Sequence, residues 1–187
     1  HVERLGAYRH IVGDQHGHKQ VDTAAQHVKD QRVERLHAQC ISVILATTDA
    51  GGDAQASYAP YAFLHGCYYI FISALAAHTQ HILNNPNVGL LIIEDESSAR
   101  NVYARARLSY ETHASIIERD SAECQNALTA LRERAGSTMD VLSQLGDFVM
   151  VRLAPRKGSL VLGFGKAYAL DGQAPDHAVP MDEAYLK

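Results

Sequence analysis

Cys40-Ile41-Ser42-Val43-Ile44-Leu45-Ala46-Thr47-Thr48-Asp49-Ala50-Gly51-Gly52-Asp53 is the stretch that decides the fold. Its first nine residues are mostly apolar or β-branched and suit a pleated, half-buried strand, and Asp49 to Asp53 is a strong turn signal. Gln55 to Phe63 then returns as a second strand, so the pair reads as a hairpin. A second turn at His65-Gly66 introduces Cys67 to Ser73, a third strand on a short connection. Short links dictate antiparallel pairing, because parallel neighbours need a long crossover.

Toward the N-terminus, Asp22 is placed to cap a helix that runs from Thr23 to Leu36 without Gly or Pro. The residues before it are polar and rich in His, with His16-Gly17-His18 the tightest cluster. Imidazoles ligate zinc, copper or nickel, but no Cys or carboxylate pair completes a site, so no metal is expected. The expected organisation is a polar lead-in over 1–21 and one domain over 22–187.

Toward the C-terminus, Ala76 to Asn84 reads as a short helix stopped by Asn85-Pro86, and Val88 to Glu94 as a strand. Val102 to Ile117 alternates for much of its length, which predicts one long strand with Arg105 and Arg107 on the same face. Asp120 opens a helix to about Ala135 with Gly136 as its C-cap, and a shorter helix runs from Thr138 to Leu145. Asp147 to Leu153, Ser159 to Leu162 and Phe164 to Leu170 read as three closing strands. Many sequential strands with few helices predict a mainly β (α+β) barrel rather than a doubly wound parallel sheet.

Composition narrows the function. The 187 residues are 47% hydrophobic, enough for one sizeable core, and the formal net charge of −4 is spread without a basic tail or stripe. No nucleic-acid partner is expected. The three cysteines, Cys40, Cys67 and Cys124, are far apart and form no CxxC pair, which points away from a disulfide framework and toward a reducing cytoplasm. No run approaches the roughly eighteen apolar residues of a membrane span, and no signal-peptide segment opens the chain.

Two segments carry the candidate chemistry. Ala56-Ser57-Tyr58-Ala59-Pro60-Tyr61 sets small and hydroxyl-bearing residues on a strand, and Leu75-Ala76-Ala77-His78-Thr79 opens a short helix, together a cradle for an anion. Arg105 and Arg107 add two guanidiniums that clamp phosphate or carboxylate; the alternative is cross-strand pairing with Glu94, Asp95 or Glu111. His78 and His81 share a helix face but lack a third ligand. Tyr58, Tyr61, Tyr68, Tyr69 and Tyr103 read as barrel and interface packing. Nothing resembles a Ser-His-Asp or Cys-His arrangement or a P-loop, so a cofactor must carry any reaction.

Ser57-Tyr58-Ala59-Pro60-Tyr61, Leu75-Ala76-Ala77-His78-Thr79, Asn85-Pro86-Asn87-Val88, Ile93-Glu94-Asp95-Glu96, Ala104-Arg105-Ala106-Arg107-Leu108, Ile117-Glu118-Arg119-Asp120-Ser121, Asp147-Phe148 and Gly163-Phe164-Gly165-Lys166-Ala167-Tyr168 follow one another in a distinctive order. Over about Cys40 to Tyr168 the chain thereby resembles the haem-utilisation (HugZ/HutZ) branch of the pyridoxamine 5'-phosphate oxidase superfamily. The resemblance implies a six-stranded antiparallel split β-barrel of the FMN-binding type, with short peripheral helices, that forms a homodimer with ligand pockets at the subunit interface. It implies FMN held by Ser57, Tyr58, Ala59, His78, Thr79, Arg105 and Arg107, and a flavin-dependent oxidoreductase as the first reading. The haem-utilisation branch gives the alternative, in which the interface takes haem, its propionates lie near the matching arginine, and an axial His comes from near the C-terminus. Tyr185 stands where that His is called for, Asp147 matches its acidic partner, and His177 lies eight residues earlier. Tyr and His both ligate haem iron, so either is an axial candidate. A carrier that binds haem or flavin without turnover is the third reading.

Overall fold

The computed structural model describes residues 23–172 and 174–181, which form four helices, a 3₁₀ turn and eight strands. The His-rich lead-in, His16 to His18 and Tyr185 lie outside the described residues. The elements are α1 (Thr23–Gln39), β1 (Ser42–Thr48), β2 (Ala54–Leu64), β3 (Cys67–Ser73), α2 (Ala77–Asn84) and β4 (Asn87–Ile93). After the 3₁₀ turn (Val102–Ala104) come β5 (Arg107–Ile117), α3 (Ala122–Ala135), α4 (Thr138–Leu142), β6 (Phe148–Val161), β7 (Ala167–Asp171) and β8 (Ala174–Pro180).

Every pairing is antiparallel, in the order β3-β2-β1-β4-β5-β6-β7-β8, and β3 also pairs with β6. That extra ladder, from Tyr68 opposite Leu153 to Ser73 opposite Phe148, closes β1 to β6 into a six-stranded barrel and leaves β7 and β8 outside it. Closure removes the exposed edges that a six-stranded open sheet would offer. Mainly-β architecture with peripheral helices is therefore what the chain adopts.

The pleat explains the core. Val43 and Leu45 point inward and alternate with exposed Ser42, Ile44 and Ala46 along β1. Tyr61, Tyr68, Ile70, Leu90, Ile92, Leu108, Tyr110, Leu153 and Leu160 complete the interior. β3 is buried on both faces, which its uninterrupted apolar run requires: Tyr68 and Ile70 face the barrel, while Tyr69 and Phe71 pack beneath α3 with Cys124, Ala127 and Leu131. Ser121 caps α3 by accepting from the Cys124 amide.

Two expectations need correction. The predicted strand over Val102–Ile117 begins only at Arg107. Asn101 Oδ1 accepts from the Tyr103 amide and starts a 3₁₀ turn instead, so Arg105 is not on a shared strand face with Arg107. The predicted separate strands Asp147–Leu153 and Ser159–Leu162 are one strand, β6, which passes Pro155 at a bulge. Thr112 faces Pro155 and Glu111 faces Lys157, leaving Arg156 as the extra residue. Proline lacks the ladder donor, and a bulge is where a sheet tolerates it.

Candidate functional site

The start of α2 is built around Ser73. Its hydroxyl donates to Asp147 Oδ2 at 2.9 Å and accepts from the Leu75 amide at 3.2 Å, and its carbonyl accepts from the Thr79 hydroxyl at 2.6 Å. The Ala74 amide donates to the Asp147 carbonyl at 2.6 Å. Asp147 thus fastens the strand-to-helix corner that carries His78 and Thr79. Thr79 is fully buried, so its hydroxyl serves the corner. The far end of α2 is tied to β1: His81 Nδ1 meets Thr47 Oγ1 at 3.1 Å, and Asn85 Nδ2 donates to Thr48 Oγ1 at 2.8 Å. Burial, and then the neighbouring His81, lower the His78 pKa from its ordinary value, so His78 is neutral near neutral pH.

On β2, Ser57 faces Leu45, Tyr58 faces Ile44 and Ala59 faces Val43. Period-two geometry splits the trio: Tyr58 is 70% exposed on the outside, while Ala59 is 2% exposed in the core. Ser57 Oγ is buried, with no hydrogen-bond partner among the described residues. A buried hydroxyl left unpaired costs about 1–3 kcal/mol, which marks this point for a polar group from outside the described residues.

The two arginines stand elsewhere. Arg105 donates through Nε to the Glu94 carbonyl at 2.7 Å, again through Nη2 to the same oxygen, and through Nη1 to Glu96 Oε1 at 3.0 Å. Arg107 has a weaker tie, Nη1 to the Arg105 carbonyl at 3.3 Å. Ile44 faces Leu91, which faces Ser109. Arg107 lies two residues from that level in one direction, and Thr47, the partner of His81, three in the other. Five residues of strand span about 16 Å. Within one chain, therefore, the helix wall and the arginine wall do not converge on one anionic group.

The outer face of the sheet carries two grooves. A groove of about 500 Å³ runs over Ile44, Ala46, Gly89, Leu91, Ser109 and Ser159, with Met181 on its wall. A second, of about 530 Å³, shares Ile44 and Leu91 and continues past Ile41 and Ile93 to Arg105. Ile41, just before β1, and Ile44 on it are 53% and 43% exposed, large values for isoleucines. Gly158 lets the Tyr110 ring lie beneath the groove, since a Cβ there would stand 2.4 Å from Tyr110 Cδ1. His177 belongs to β8, the strand that leads to Met181.

The apolar groove ending at an arginine was not legible from motif spacing, because its floor is an alternation that reads equally well as ordinary strand. Ser73 was missed for a similar reason: only the closure of β3 on β6 brings it to Asp147. Among the described residues no group of three or more His, Cys, Asp or Glu is placed to hold a metal ion, and no helix is long and apolar enough to cross a membrane. Burial raises the thiol pKa of Cys40, Cys67 and Cys124, so none is an activated nucleophile.

A closed six-stranded antiparallel barrel with an extended outer face and a helix at the β3 exit defines a split-barrel protein. Residues 29–162 match the family model described as pyridoxamine 5'-phosphate oxidase, and the chain belongs to that family, in its haem-utilisation branch. It is 39% identical over 160 residues to the haem oxygenase HutZ of Vibrio cholerae serotype O1, a match covering 86% of this chain and 88% of that one. Among solved structures it resembles HutZ, described as the haem storage protein from Vibrio cholerae, with a TM-score of 0.65 and 36% identity over 68% of this chain and 89% of that one. It also resembles ChuZ of Campylobacter jejuni, with a TM-score of 0.75 and 28% identity over 84% of this chain and 64% of that one. These relatives favour the haem alternative over the flavin reading.

Proposed function

We propose that this protein binds haem in the outer-face groove and degrades it oxidatively, as a homodimer that closes the groove with a second copy. The observation that carries the reading is the groove itself: an apolar floor of Ile44, Ala46 and Leu91 ending beside Arg105. A macrocycle is flat and apolar with carboxylates on one edge, so apolar sheet receives its face and guanidinium its propionates. FMN, with a phosphate and a hydroxylated chain, asks for more polar walls than the first groove has. When bound, haem supplies iron that activates oxygen against the macrocycle.

The chain's residues have distinct tasks in this reading. Arg105, at the groove's end, is held to the loop at Glu94 and Glu96, so the propionate falls to Arg107, two residues along β5 from groove-lining Ser109 and with one long hydrogen bond among the described residues. Ile44 and Leu91 exclude water. Tyr185 and His177 are the candidates that would hold the haem iron, since phenolate and imidazole both ligate it. Two observations support the dimer: exposed Ile41, Ile44 and Tyr58 lie on the outer face, and the walls holding His78 and Arg107 stand too far apart in one chain to share a ligand. Two copies bring a helix wall of one subunit toward an arginine wall of the other.

Turnover separates degradation from storage. The haem-loaded protein, given ascorbate in air with catalase present, is expected to lose its Soret band; a band that persists leaves binding without degradation.

A further inference from the structure

We propose that Tyr68, hydrogen-bonded to His37 inside the barrel, is a one-electron redox site: an oxidant in the groove takes its electron, His37 takes its proton, and a neutral tyrosyl radical remains. The two groups are 2.9 Å apart, Tyr68 hydroxyl to His37 Nε2, and Tyr68 is 1% exposed. Three phenol rings form a path. Tyr110 lies beneath the groove, its ring centre 6.1 Å from that of Tyr68, and Tyr61 follows at 5.6 Å.

The surroundings place the radical on Tyr68 rather than Tyr61. The Arg134 guanidinium sits 4.6 Å from the Tyr61 ring centre, and its positive charge opposes loss of an electron there. The Tyr61 hydroxyl is 3.5 Å from the His37 carbonyl, which accepts a hydrogen bond but takes no proton. Tyr68 instead meets a nitrogen base. Burial raises the Tyr68 phenol well above its ordinary value, so it keeps its proton until it is oxidised. Burial and Arg134 lower His37 to about 4, leaving it neutral near neutral pH, and the proposal takes the Nδ1-protonated tautomer, whose Nε2 lone pair accepts from the Tyr68 hydroxyl. An oxidised phenol is a far stronger acid than imidazolium, so even this weakened base receives the proton.

The step balances. One O–H bond of Tyr68 breaks and one N–H bond forms on His37, one electron passes through Tyr110 to the oxidant, and the oxidant is reduced by one electron. A reductant that returns an electron reverses the step, the proton going back to the phenolate oxygen. In the protein at work, bound haem met by a hydroperoxide would supply the one-electron oxidant, and that identity rests on the haem reading; the radical site does not.

The test uses the protein without cofactor, photo-oxidised by tris-bipyridyl ruthenium with a cobalt(III) acceptor and frozen for electron paramagnetic resonance. A long-lived tyrosyl signal is expected, lost in Tyr68→Phe and shortened in His37→Gln. Retention of that signal in Tyr68→Phe, or only the short-lived signal of exposed tyrosines such as Tyr58 and Tyr103, overturns the proposal. Should Tyr68→Phe fail to fold, isotopically labelled histidine in the wild type gives the same answer: nuclear coupling from a hydrogen-bonded ring nitrogen supports the site, and its absence overturns it. Failure of haemin to bind leaves this experiment standing.

Discussion

Asp147 Oδ2 accepts from Ser73 Oγ at 2.9 Å, joining the loop before β6 to the last residue of β3 at the point where the chain turns into α2. Removing one partner leaves the other exposed to a polar environment it does not fully meet. Ser73→Ala is therefore expected to destabilise the fold by about 1–2 kcal/mol, since it also removes the acceptor of the Leu75 amide. Urea unfolding measures this; an unchanged midpoint shows that the corner is held by backbone alone.

The two arginines are expected to separate. Arg107→Ala weakens haemin binding by about 1.5–3 kcal/mol, the range for a charged hydrogen bond, with little change in melting temperature. Arg105→Ala acts mainly on stability, because its guanidinium is spent on the Glu94 carbonyl and on Glu96, whose carboxylate is 75% exposed. Paired titrations and melts distinguish them, and equal loss of affinity with equal loss of stability contradicts the assignment.

Those two residues also show where reading the sequence stops. The hairpin of β1 and β2, the third strand and the helix stopped by Pro86 are legible because turn residues and period-two alternation are local signals. Arg105 and Arg107 are also two apart, and alternation alone places them on one face; the Asn101 cap and the Glu94 carboxylate, which accepts from the Ala106 amide, override it. Pro155 gives a strand break by the same local logic, whereas pairing with β5 on both sides of it, with β3 up to Leu153 and with β7 from Lys157, carries β6 through it. His37, Arg134 and the aromatic cluster at Tyr61 and Tyr68 depend on contacts between residues 24 to 97 apart, which no spacing rule encodes.

Stability should fall in acid through His37. Its folded pKa of about 4 lies below the ordinary 6.5, so the unfolded chain binds the extra proton between those values. The contribution is fully present above pH 6.5, declines as pH falls toward 4, and amounts to about 3 kcal/mol. Comparing urea midpoints of wild type and His37→Gln across this window tests it, and parallel curves count against it.

Gly158→Ala forces a Cβ to within 2.4 Å of the Tyr110 ring and 2.5 Å of the Ser109 carbonyl. Overpacking of this kind costs about 1–3 kcal/mol and displaces the sheet beneath the groove. A lowered melting point together with weaker haemin binding is expected; a neutral substitution contradicts the packing described.

The central claim is that the outer-face groove takes haem. Absorbance titration of the isolated protein with haemin, with FMN titrated in parallel, tests it most directly. A shifted, saturating Soret band with about one haem per subunit and no retained flavin is the result expected. Saturable FMN binding with haemin left in its free spectrum contradicts the account.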